Sequence, residues 1–115
     1  HLIDFVPTVL ELAGAPADDS SVATGIPPRP GRSLTPTFVS SAPQPQRELW
    51  WSHEENNALR IGDWKLVASK GTPWELYDLN RDRTEAHNLI EEFPERARTM
   101  EQRWMEIANG FVETR

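Results

Sequence analysis

The densest chemistry in this sequence lies between Trp50 and Val67, which reads WWSHEENNALRIGDWKLV. An imidazole (His53), two adjacent carboxylates (Glu54 and Glu55) and two adjacent amides (Asn56 and Asn57) follow one another there. A histidine beside carboxylates gains basicity, and a neighbouring amide can orient a bound oxygen. His53 and Asn56 are therefore the candidates for contact with a polar substrate. The acidic pair is a poorer candidate for acid and base catalysis, because neighbours on a strand point to opposite faces and cannot flank one scissile bond.

Other constellations fail on spacing. Asp78, Asn80 and Asp82 occupy the first, third and fifth places of a calcium loop, but Arg83 stands where glycine is needed and Leu89 where a bidentate glutamate is needed. Asp78 and Asp82 read instead as turn caps, with Leu89 anchoring the loop in the core. His1, His53 and His87 show no paired zinc-ligand spacing. The absence of cysteine excludes disulfides, thiolate metal sites and a cysteine nucleophile within these residues. No glycine-flanked nucleophile elbow and no phosphate-cradling glycine loop occurs. On chemistry alone, these side chains do not constitute an enzyme.

The elements that must position them are modest. A chain of 115 residues with 37% apolar content suits one domain with a small core. A net charge of -6 argues against a nucleic-acid or anionic-membrane partner, since both call for a basic patch. No apolar run reaches the roughly 20 residues that span a bilayer. The chain starts at a histidine leading straight into apolar residues, so a fragment of something longer is expected. Val6, Val9, Leu10 and Ala13 fall at helical spacing, with Asp4 as N-cap, Pro7 in the first turn and Gly14 as the stop.

From Ala15 to Arg47 most of the ten prolines appear and no periodicity is sustained. Ile26, Leu34, Phe38 and Val39 are apolar anchors there, which fits a segment laid over a surface missing from the chain. The runs ELWWS, ALRI, WKLVAS and WELYDL, punctuated by GD and KGTP, predict an antiparallel meander of three to four strands. Ala97, Met100, Trp104, Ile107, Ala108 and Phe111 then recur at helical spacing between a Pro94 start and a Gly110 stop. The expected fold is α+β, a small antiparallel sheet packed by the C-terminal helix. Trp64, Trp74 and Trp104 are expected in its core, while Trp50 and Trp51 must face opposite sides.

Four phrases in order, HLIDFVPTVLELAGA, PGRSL, NNALRIGDWKLV and WELYDLNRDRTEAHNLIEEFPERARTMEQRW, cover nearly the whole chain. Together they resemble the C-terminal portion of the type I sulfatases, the arylsulfatase-like, formylglycine-dependent family. The resemblance implies that residues 1–14 are the last helix region of a truncated catalytic domain of alkaline-phosphatase type. Residues 15–46 would then connect it to a C-terminal subdomain at 47–115. It further implies a parent that is exported or periplasmic and hydrolyses sulfate esters of small molecules or glycans, using calcium and a formylglycine made within Cys/Ser-x-Pro-x-Arg. Both lie upstream in the family, and this chain is expected to be inactive alone. Ser41-Ala42-Pro43-Gln44-Pro45 is the nearest approach to that motif, but it has Pro45 where arginine is required. Related sequences often read His-Glu-Gly-Asn-Arg-Ala where this one has His53 to Ala58, so His53 and Asn56 match, while Glu55 and Asn57 depart. The resemblance thus places His53 and Asn56 as substrate contacts. Two other readings stand beside it: a free-standing carbohydrate- or peptide-binding module built on the tryptophans, and the same part of a phosphate or phosphonate ester hydrolase.

Overall fold

The computed structural model describes residues 1–15, 31–41 and 45–113, and the side chains of these through Phe111. It divides into two compact units, His1–Gln44 and Pro45–Arg115. Ile26 and residues 42–44 of the rejected nucleophile motif lie outside the described residues.

In the first unit a 3-10 turn, Leu2–Asp4, runs into helix α1, Phe5–Leu12. The helix ends before Gly14, whose φ of +67° is the left-handed conformation that stops a helix. Asp4 holds the N-cap position of α1 but makes no capping bond to it. Its carboxylate is fully buried and accepts instead from the backbone nitrogens of His1 (2.8 Å) and Arg32 (3.0 Å). Thr8, also buried, accepts from the Leu34 N–H at 2.9 Å and donates to the Asp4 carbonyl. Two buried polar side chains, Asp4 before the helix and Thr8 on it, thus satisfy the N–H groups of Arg32 and Leu34 in the GRSL segment. Gly31 is required in it, because a Cβ there would lie 1.9 Å from the Ile3 carbonyl oxygen. Where no periodicity was expected, a short helix α2 forms at Thr35–Val39. Pro36 suits its first turn, and Thr37 Oγ1 donates to the Leu34 carbonyl (2.6 Å) although α2 has no side-chain cap. Phe38 and Val39 are exposed, as are Leu2, Phe5, Val6, Val9 and Leu12.

The second unit is an antiparallel meander covered by one helix, the α+β layer expected. Strands β1 (Glu48–His53), β2 (Asn56–Ile61), β3 (Trp64–Ala68) and β4 (Glu75–Asp78) pair in chain order. The register lines up Trp50, Leu59, Leu66 and Leu76 in one row across the sheet. The three leucines are fully buried and, with Ala97 and Met100 of helix α3 (Pro94–Glu113), form the core. Trp50, Trp64, Trp74 and Trp104 pack around this cluster. Trp50 stacks on Trp104 at 5.6 Å between centroids, and Trp74 meets Trp104 edge-on. The polar edges of these rings are also used: Trp50 Nε1 donates to the Trp104 carbonyl (3.3 Å) and Trp104 Nε1 to the Trp51 carbonyl (3.1 Å). Arg103 forks onto both carboxylate oxygens of Glu48 at 2.9 Å and so fixes α3 to β1. The helix does not stop at Gly110 but runs to Glu113. Gly110 is not left-handed, and a glycine inside a helix costs only about 1 kcal/mol relative to alanine.

Candidate functional site

The candidate residues sit at the tip of the β1–β2 hairpin. His53 pairs with Asn56 as the last rung of the ladder, so Glu54 and Glu55 alone form the turn. Both have positive φ, 49° and 68°, as a two-residue turn matched to sheet twist demands. Asparagine and glycine usually fill those places, and two glutamates there carry strain. The premise that this pair lies along a strand is therefore corrected: the residues sit in the turn. They still make no catalytic dyad, since Glu55 reaches the Lys70 ammonium (2.9 Å) in an exposed ion pair.

His53 is exposed, and alternation along β1 places it on the face away from α3. Asn56 is also exposed, but its amide is engaged. Nδ2 donates to the carbonyls of His53 (3.2 Å) and Glu54 (3.4 Å), and Oδ1 accepts from the Lys70 N–H (3.1 Å). Asn57 turns to the other side and accepts from Ser52 Oγ at 3.0 Å. The two candidates are brought together at one end of the sheet. The contribution of Lys70 was not visible in sequence, because fourteen residues separate it from Asn56 and only the ladder register closes that gap.

The second acidic stretch behaves as a set of caps. The Asp82 carboxylate accepts from the backbone N–H groups of His87 (2.8 Å) and Ala86 (2.7 Å) and from Thr84 Oγ1 (3.0 Å). These bonds, the one from His87 first, hold its carboxyl below the usual carboxylate range. Asp78 accepts from the Asn80 N–H at 3.0 Å. Leu89 is partly buried and donates its N–H to the Leu76 carbonyl. Among the described residues no group of three or more His, Asp or Glu side chains is placed to hold a metal ion. The described residues therefore do not fit a calcium centre.

No family model matches the chain. It is 30% identical over 111 aligned residues to arylsulfatase K of Danio rerio, covering 82% of this chain and 19% of that protein. It is 31% identical over 121 aligned residues to an uncharacterized sulfatase of Schizosaccharomyces pombe, covering 96% of this chain and 22% of that one. The chain is a sulfatase C-terminal portion. It spans about a fifth of the length of these curated relatives. Solved structures carry the same fold. One is BT4656 in complex with D-glucosamine-2-N,6-O-disulfate, with TM-score 0.61 and 20% identity, covering 96% of this chain and 24% of that one. Another is Ps i-CgsB in complex with k-i-k-neocarrahexaose, with TM-score 0.64 and 19% identity, covering 90% and 23%. In this sulfatase portion the phrases HLIDFVPT and GRSL are joined by the Asp4 and Thr8 hydrogen bonds.

Proposed function

We propose that this sulfatase portion belongs to an enzyme hydrolysing sulfate esters, and that it shapes substrate recognition while the reacting groups lie in an upstream part. The observation that carries this reading is the identity of about a third to sulfatases along most of the chain. Calcium and formylglycine, where the parent uses them, belong to that upstream part. Residues 1–14 then close the catalytic domain, 15–46 connect, and 47–115 form the recognition subdomain. The exposed apolar side chains of α1 and α2 support a covalently linked partner domain as their cover. The hairpin tip, with His53 and Asn56, contributes to binding a sulfated small molecule or glycan, and the disulfated glucosamine bound by BT4656 supports that substrate class.

The binding-module reading draws no support from the indoles, since Trp50, Trp64, Trp74 and Trp104 are packed against the core. The test is turnover of 4-nitrophenyl sulfate by this chain alone and by a protein that includes its upstream part. Turnover only by the longer protein is the expected result. Turnover by the isolated chain would overturn the assignment of the reacting groups, and a longer protein that cleaves a phosphate ester in preference would overturn the sulfate ester.

A further inference from the structure

We propose that Asn56 is a positioning residue, which fastens the β1–β2 turn to the β3–β4 loop and thereby sets His53, rather than a side chain that touches substrate itself. The inference rests on the reading of His53 as a substrate contact. A primary amide has two N–H donors and one oxygen with two lone pairs. In Asn56 both donors are committed, to the carbonyls of His53 and Glu54, and the oxygen accepts from the Lys70 N–H. Donors facing carbonyls and an acceptor facing an N–H also fix which way the amide points. A substrate contact at Asn56 would have to break one of these bonds or share the last lone pair.

The surroundings show why such a clamp is needed. Two successive glutamates in the left-handed region persist only where neighbouring structure holds them. The Glu55–Lys70 ion pair spans the same two loops but is more than three-fifths exposed on both sides, so it fixes little by itself. Lys70 is a firm anchor for a different reason. The loop that carries it is closed on itself, with the Thr72 N–H and Oγ1 both donating to the Ser69 carbonyl (3.0 and 2.9 Å) and the Ser69 N–H donating back to Thr72 Oγ1 (3.1 Å). Asn56 grips the carbonyl of His53 itself, so a loosened clamp frees the backbone from which the imidazole projects.

The test has two arms. In this 115-residue chain, Asn56→Ala should speed amide exchange at Lys70 about tenfold while exchange at Leu59 and Leu66 is unchanged. Unaltered Lys70 exchange in Asn56→Ala, or an unprotected Lys70 amide in the parent, would overturn the clamp. In the protein that includes the upstream part, Asn56→Ala should raise KM for 4-nitrophenyl sulfate about fivefold with kcat within about twofold. In a His53→Ala background the same change should add nothing. Additive effects on KM would mean that Asn56 makes its own contact and would overturn the inference. A longer protein with no turnover sinks the sulfatase reading instead, and the exchange arm still decides the clamp.

Discussion

Replacing Leu66 by alanine tests the architecture at its centre. Leu66 is fully buried on an interior strand, its ladder partners Leu59 and Leu76 are fully buried as well, and α3 lies over all three. Leucine-to-alanine changes in packed cores cost about 2–5 kcal/mol, with the cost depending on how far the site can collapse. Strands on both sides and a helix above leave little room for collapse, so about 3–4 kcal/mol is expected. The sheet-and-helix unit has about 70 residues and, at roughly 0.05–0.15 kcal/mol per residue, a stability of about 4–10 kcal/mol. The loss is therefore a third of the total or more, and Tm should fall by about 15 °C or further. Urea unfolding followed by tryptophan emission is the assay, because four indoles pack against the perturbed cluster. Two controls make it decisive. Leu66→Met keeps the volume and should cost under about 1.5 kcal/mol. Val67→Ala lies one residue along on the opposite, half-buried face and should cost about 1 kcal/mol. Equal losses at positions 66 and 67, or a Leu66→Ala cost below about 1 kcal/mol, would refute the assignment of faces.

Three further outcomes are expected. Replacing Glu54 and Glu55 by Asn and Gly puts the residues suited to a positive φ into that turn, and should raise the urea midpoint by an amount corresponding to about 1 kcal/mol despite loss of the exposed Glu55–Lys70 pair. Tyr77, the sole tyrosine, is pushed up to about 12 by burial first and by its hydrogen bond to Glu75 second, so absorbance titration should show its phenolate forming well above the ordinary 10.0. Its neutral form is the one the fold favours, so this stability is complete below pH 10.0 and is lost as pH rises through about 12; a phenolate midpoint near 10.0 in folded protein would contradict the burial. Gly31→Ala drives a methyl group into the Ile3 carbonyl and should strip amide protection from Arg32 and Leu34, which hydrogen exchange would show, while the sheet of the second unit is untouched.

The strands, the helix over them and the alternation of buried and wetter faces were legible because each follows a local period: two residues along a strand, 3.6 along a helix. The turn at Gly62 and Asp63 and the end of α1 before Gly14 were legible for an equally local reason, since few residues other than glycine adopt the positive φ found at both glycines. Local rules also failed in identifiable places. Gly110 read as a stop and is not one, because a helix already held by packing tolerates a glycine. Asp4 read as a cap for its own helix, yet its carboxylate serves Arg32, twenty-eight residues away.

At the hairpin tip the sequence by itself determined which residues are present, His53 and Asn56 in a polar run before a turn. It also determined that alternation sends neighbours to opposite faces. Only the tertiary structure decided that the turn is the glutamate pair, and that Asn56 spends its amide on the chain rather than on solvent. The reason is physical: an amide's partners are set by which backbone groups the ladder register brings within about 3 Å, and register is a property of paired strands that no single strand carries.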